Sequence, residues 1–190
     1  MCIRDRILTD HNITPPAANT VFFGGGTPSL LGRQLPKILD VVRECFGIAP
    51  GAEITSEANP ESTSPELFDC WRAGGVNRLS LGMQSSEPRV LALLDRQHDP
   101  ARAVAAIEEA QAAGFEHLNL DLIYGTPGET TDDVARSVDT VLATGVDHVS
   151  AYALTIEPGT ALFRKVAHGE IDPIDDDMQA DRYYQIDAAL

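Results

Sequence analysis

Three times along this chain a helical stretch ends in glycine and gives way to a strand: "RAGGVNRLSLG", "AAGFEHLNLDL" and "ATGVDHVSAYAL". In each, a small residue and a glycine stop the helix, and the strand starts two or three residues later. Strands that are joined through helices must lie parallel, with right-handed crossovers. The alternation runs through the whole sequence. The apolar run "TVFF" precedes a helix over "QLPKILDVVRECFG", in which Leu35, Ile38, Leu39, Val42, Cys45 and Phe46 recur at helical spacing and Gly47 stands at the C-terminal cap. "EITSEA" reads as a strand, and "SPELFDCWRAGG" as a helix with Ser64 as N-cap and Pro65 in its first turn. "NRLSLGMQ" is the third strand, and the helical region after it includes a helix opened by Asp99-Pro100 and closed by Gly114. "EHLNLDLIYG" follows, then a helix that starts on a capping box of Thr130 and Asp133. "DHVSAYALT" is the fifth strand, and helices near Thr160 to His168 and at the end of the sequence complete the pattern.

The strands carry a second constraint. Successive side chains of a strand point to opposite faces. Leu79, Leu81 and Met83 therefore oppose Arg78, Ser80, Gly82 and Gln84, and Leu118, Leu120 and Leu122 oppose Asn119 and Asp121. Thr55 and Glu57 share a face, as do Ser150 and Tyr152. A doubly wound sheet has helices on both sides, and its strands read as continuous apolar runs. Here only one face is apolar. The fold class that fits is α/β, a partial, open barrel whose helices cover the outside and whose interior is polar. A closed eight-stranded barrel fills its interior with branched apolar residues, so this one must be wider or open, around a polar ligand. Barrel sites gather at the carboxyl ends of the strands, which here carry Gly25 to Thr27, Glu57, Gln84, Asp121 and Tyr152. Any one of these alone reads as a cap or a solvated loop residue. Five at equivalent positions read as a site.

The triplet Gly24-Gly25-Gly26 ends the first strand. Without Cβ atoms, its backbone N–H and C=O groups can meet a ligand directly. It matches neither G-x-G-x-x-G nor the P-loop, since no Gly-Lys-Ser/Thr follows. The 190 residues suit one domain, with 43% hydrophobic and 23% charged residues. The net charge of -15 and the lack of a Lys/Arg cluster exclude a basic nucleic-acid footprint. No apolar run approaches the ~20 residues that span a bilayer. Cys2, Cys45 and Cys70 are too scattered for a metal motif or a disulfide framework. Cys45, on the apolar stripe of its helix, reads as a reduced core thiol, and Cys70 likewise. His117 and His148 stand at strand starts, which disfavours a metal hydrolase with ligands at strand ends.

"GGGTPSLL", "SEANPES", "RLSLGMQS", "LDRQHD", "NLDLIYGTPGET" and "AYALTIEPGT" follow one another in order. Together they resemble the radical S-adenosylmethionine (SAM) enzymes related to oxygen-independent coproporphyrinogen III oxidase, and among these the branch of heme chaperones. The resemblance runs from about residue 20 to the end. It implies an open (β/α)6 barrel of the TIM-like, radical SAM type, with SAM and a [4Fe-4S] cluster as cofactors. By resemblance, Gly25, Gly26, Thr27, Glu57, Gln84, Arg96, Asp121 and Ala153 bind SAM. Arg96 would pair with the methionine carboxylate, Glu57 would accept from the amino group or the ribose, Gln84 and Asp121 would hold ribose hydroxyls, and Ala153 would lie near the adenine. Heme or a porphyrin is the implied cargo or substrate. A one-electron donor protein and a heme-accepting protein are the implied partners, in the cytoplasm, with no nucleic acid and no transmembrane segment.

The sequence departs from the family at both ends. The family's cluster is held by a C-x-x-x-C-x-x-C motif upstream of the glycines, and only Cys2 precedes Gly24 here. Residues 1–19 therefore read as an atypical segment that an assembly artefact would explain. Residues 20–190 read as a partial radical SAM core, incomplete at both ends and lacking the C-terminal domain. The expected function is heme binding and transfer, with oxidative decarboxylation of coproporphyrinogen III as the alternative, and the fragment alone is expected to be inactive.

Overall fold

A computed structural model of the chain describes residues 10–11, 16–96 and 99–190. Strand β1 (Ala18–Phe23) leads through the glycine triplet into a short 3-10 segment, Pro28–Gln34, and helix α1 (Leu35–Phe46). Then come β2 (Ile48–Ala58), α2 (Pro65–Gly74), β3 (Arg78–Gln84), α3 (Pro88–Leu93) and α4 (Pro100–Ala112). The chain continues through β4 (His117–Tyr124), α5 (Thr131–Ala143), β5 (His148–Ala153), α6 (Ala161–Ala167) and α7 (Asp176–Ala189). The five strands form one sheet in the order β1-β2-β3-β4-β5, every pair parallel. The order never reverses, and the sheet curls into an open half-barrel flanked by helices, as the one-faced polarity requires.

The outer face makes the core. Leu79, Leu81 and Met83 of β3 are fully buried, while the residues between them are half-buried on the inside. Leu118, Leu120 and Leu122 continue the core on β4, and Phe68 and Trp71 of α2 with Ala103, Ala106 and Ile107 of α4 close over it. The helix starts follow the sequence reading. Ser64 accepts from the Leu67 N–H, Asp99 from the Ala101 N–H, and Thr130 forms a reciprocal capping box with Asp133. The recurring helix-to-strand turn has a function of its own. Asn77 accepts from the Ile54 N–H at 2.7 Å and donates to the Ala52 carbonyl at 2.9 Å. Asp147 accepts from the Leu118 N–H at 2.7 Å. The turns before β3 and β5 thus each tie the start of a new strand to the strand before it.

Two expectations are corrected. Cys45 is exposed, and its helix also exposes Ile38 and Val41. Only Leu35 and Leu39 of α1 are buried, so its neighbours, the 3-10 segment and α2, cover only part of its apolar arc. Cys70 is half-buried rather than core, and Cys2 lies outside the described residues. Strand β2 starts at Ile48, earlier than "EITSEA", because Ile48 pairs with Ala18 across Pro50-Gly51 before the register shifts and settles at Thr20 with Glu53.

Asp133 is buried beneath two guanidinium groups, those of Arg89 and Arg136. Burial raises its carboxyl, but hydrogen bonds from the Thr130 hydroxyl and N–H and the Arg89 charge prevail and hold it below the usual carboxylate range. A lowered carboxyl stabilises the fold above its unfolded pKa and ceases to do so as pH falls through the folded value. Asp133→Ala should therefore cost about 1–3 kcal/mol at neutral pH, and urea unfolding should show the gap to the parent narrowing on acidification. Trp71 is fully buried and donates from Nε1 to the Gly32 carbonyl at 2.9 Å. Trp71→Ala should cost about 3–5 kcal/mol, with Trp71→Phe far milder in the same measurement.

Candidate functional site

A cavity of about 320 Å³ opens at the carboxyl ends of the strands. Gly26, Thr27, Glu57, Gln84, Arg96 and Asp121 line it together. Six of the eight residues singled out in the sequence thus share one concavity. Gly25 does not line it, but its N–H donates to Glu57 Oε2 at 3.0 Å and so ties the glycine loop to the end of β2. Ala153 is not among the lining residues, whereas its neighbour Tyr152 is. The alternation of β5 explains this, since Tyr152 shares the inner face with Ser150 and Ala153 has the opposite parity.

The glycine loop owes its shape to backbone conformation. Gly25 and Gly26 have φ of 78° and 58°, and a Cβ on either would meet no described atom within 4 Å. Glycine at these positions permits a left-handed backbone at the rim of the cavity. The segment just beyond is pinned from below. Ser29 is buried, lies 2.6 Å from the Ser62 hydroxyl, and accepts from the Asn59 N–H at 3.0 Å. Gly24 is tight for a different reason: a Cβ there would stand 2.2 Å from Phe22.

Gln84 holds the end of β3 in a left-handed conformation, φ 67°, where the register with β4 shifts between Gly82 and Gln84. A non-glycine residue in this region carries strain of order 1 kcal/mol. Its amide folds back over Gly82, where an added Cβ would lie 2.5 Å from Gln84 Nε2. Arg96 is exposed at the rim after α3, and its backbone N–H donates to the Leu91 carbonyl at 2.9 Å. It comes from a connecting segment rather than from a helix.

Below the rim the inner faces of β3, β4 and β5 carry a polar layer to which the sequence reading gave no role. Ser80 donates to Asp121 Oδ1 at 3.2 Å, and Asn119 donates to Ser80 Oγ and to Asp121 Oδ1, both at 2.7 Å. Ser150 donates to Asn119 Oδ1 at 3.1 Å. Burial raises the Asp121 carboxyl above its ordinary value. The hydrogen bonds from Asn119, Ser80 and Ser150 pull the other way, and the Glu57 charge adds to the rise. Strand parity marked Ser80, Asn119 and Ser150 as inward, and that signal would have found them.

The arrangement suits a polar, zwitterionic ligand. A guanidinium at the rim can pair with a carboxylate, two carboxylates can accept from an ammonium group or hydroxyls, and glycine N–H groups can meet it edge-on. It does not suit an iron–sulfur cluster. Among the described residues Cys45 lies on α1 and Cys70 on α2, and no group of three or more His, Cys, Asp or Glu side chains could hold a metal ion. No helix among the described residues is long and apolar enough to cross a membrane.

Comparison with known proteins agrees with this architecture. The model of the Radical SAM superfamily matches residues 6–141. The heme chaperone HemW of Mycobacterium tuberculosis (strain ATCC 25618 / H37Rv) is 61% identical over 184 residues, which are 96% of this chain and 47% of that protein. HemW of Escherichia coli (strain K12) is 40% identical over 142 residues, covering 74% of this chain and 38% of the relative. Among solved structures, coproporphyrinogen III oxidase (HemN) from Escherichia coli superposes with a TM-score of 0.79 at 30% identity, over 90% of this chain and 39% of that one. An archaeal Elp3 from Methanocaldococcus infernus shares the fold, with a TM-score of 0.74 at 18% identity over 98% of this chain and 47% of that one. The chain spans about half the length of the HemW relative from Mycobacterium tuberculosis, 47% of it. The chain belongs to the radical SAM superfamily and is closely related to HemW.

Proposed function

We propose that this chain carries the SAM-binding part of a heme chaperone of the HemW type, a protein that binds heme and passes it to an acceptor. The observation that carries the reading is the convergence of Gly26, Thr27, Glu57, Gln84, Arg96 and Asp121 on one cavity. In this reading Arg96 pairs with the methionine carboxylate, and the loop of Gly25, Gly26 and Thr27 meets the methionine end. Glu57 accepts from the amino group or the ribose, while Gln84 and Asp121 take ribose hydroxyls. The adenine lies toward the end of β5, near Ala153 and Tyr152. Bound SAM would supply the adenosyl group on which the chemistry of this superfamily rests. The chain's own residues bind and orient it, and the described cysteines supply no cluster site, so no electron transfer is assigned to them. In this reading residues 20–190 form a partial radical SAM core. A cytoplasmic location, a one-electron donor protein and a heme-accepting protein belong to the same proposal.

The alternative is an oxygen-independent coproporphyrinogen III oxidase, favoured by the superposition on HemN. The two separate on the full-length protein: transfer of bound heme to an acceptor without decarboxylation supports the chaperone, and decarboxylation of coproporphyrinogen III supports the oxidase.

The site itself is tested by equilibrium titration with SAM. Asp121→Ala and Arg96→Ala should each weaken binding about ten- to a hundredfold, the loss of one charge-assisted hydrogen bond. Unchanged titrations for both would remove the assignment. The raised Asp121 carboxyl sets a pH dependence. As pH falls through that raised value, the carboxylate gains a proton and loses its capacity to accept from hydroxyls. SAM affinity should therefore drop on the acid side at a pH above the ordinary aspartate value, and Asp121→Asn should abolish that step. Anaerobic incubation of this chain with iron and sulfide should give no stoichiometric [4Fe-4S] species, read by its visible absorption and iron content.

A further inference from the structure

The polar layer beneath the rim holds Asp121 in a particular way. Asn119 is almost fully buried between β3 and β5, at 2% exposure. A carboxylate only accepts, so the amide must turn its NH2 toward Asp121 and its oxygen toward Ser150. Both ends are then satisfied: Nδ2 donates to Asp121 Oδ1 and to Ser80 Oγ at 2.7 Å each, and Oδ1 accepts from Ser150 Oγ at 3.1 Å. Oδ1 of Asp121 is thereby occupied from below by Asn119 and Ser80. Oδ2 has a long contact of 3.4 Å to Ser80. One carboxylate oxygen is anchored to the floor, and the other is left for the cavity that Asp121 lines.

We infer that Asn119, itself oriented by Ser150, is a positioning residue that fixes the rotamer and ionisation of Asp121, so that Oδ2 is presented to ligand hydroxyls. The inference rests on the reading of the cavity as a SAM site. It assigns a role to a residue that does not line the cavity. The relay spans three strands, with Ser80 from β3, Asn119 and Asp121 from β4 and Ser150 from β5. A parallel register holds them side by side: Ser80 pairs with Asn119, and Asp121 with Ser150. A side chain anchored through such a relay is held near its productive geometry before the ligand arrives, which lowers the ordering cost of binding.

The test separates positioning from structure. The charged and titratable groups that face Asp121 across the cavity are Glu57 from β2, Arg96 from the segment after α3 and Tyr152 from β5, while His148 pairs in register with Asn119 below. Glu57, Arg96, Tyr152 and His148 are unchanged in each variant of the series below. SAM affinity is measured by equilibrium titration of the whole 190-residue chain across a pH series, for the parent, Asn119→Leu, Ser150→Ala and Asp121→Asn. Asn119→Leu should weaken SAM binding about three- to tenfold at neutral pH. It should also move the acid-side midpoint of binding to higher pH, because a hydrogen bond that favours the ionised carboxylate has gone. Ser150→Ala leaves the packing almost intact, removes both the donor to Asn119 Oδ1 and the pull of Ser150 on Asp121, and should shift the midpoint in the same direction by less; an unmoved midpoint there counts against the relay even if Asn119→Leu unfolds. Asp121→Asn should show no acid-side step. A parent that binds no SAM would overturn the reading of the cavity and this inference with it. A parent that binds, is weakened by Asp121→Asn and keeps the same midpoint in both Asn119→Leu and Ser150→Ala would overturn the positioning role alone.

Discussion

The two-residue period of the strands is the constraint on which everything else depends. In β3 it buries Leu79, Leu81 and Met83 on the outside and turns Arg78, Ser80, Gly82 and Gln84 inward. A slip of one residue would place the leucines in the cavity and Gln84 in the core. Burial of the outer face therefore fixes which side chains turn inward, and the strand register fixes which of these meet at the site. Asp121 and Ser80 come within hydrogen-bond distance because both turn inward and the register of β3 with β4 sets Ser80 beside Asn119 and Gly82 beside Asp121. The helices contribute through that same face, with Phe68 and Trp71 from one side and Ala106 and Ile107 from the next.

Much of this was legible in the residues themselves. Parity alone selected Glu57, Gln84 and Asp121, because alternation along a strand is a local property. Caps at Ser64, Asp99 and Thr130 were equally readable, since each bonds an N–H within three residues. What escaped is what depends on partners far along the chain. Cys45 looked like core because its helix has a broad apolar arc, yet only Leu35 and Leu39 of that arc are buried. The parity of β5 placed Tyr152 on the inner face, whereas Ala153 entered on resemblance alone. Asn119 was seen to point inward, but its work depends on Ser80, 39 residues before it, and on Ser150, 31 residues after it. Sequence spacing gives no sign of such a relay. The register makes it visible.

The glycine loop shows how a site is assembled from both sides of a strand end. Its conformation is set by Gly25 and Gly26, but its position is set by others. Glu57 holds it by the Gly25 N–H, and Ser29 and the indole of Trp71 hold the segment that follows. Glu57 thus serves the loop and the cavity at once. The tryptophan, deep in the core, reaches the rim through a single carbonyl, so the packing of α2 and the shape of the loop cannot vary independently.

Gly82 and Gln84 behave as one unit. The amide of Gln84 lies across the face of Gly82 in space that a single methyl group would fill. The bare backbone at one position is the seat of the side chain at the other, and the left-handed turn at Gln84 brings the two together. An alanine at 82 would displace the amide from the cavity, and a different side chain at 84 would leave the glycine without its cover. The room at this edge of the cavity is thus set in part by a residue with no side chain to contribute, since the bare Cα of Gly82 leaves the Gln84 amide where it lies.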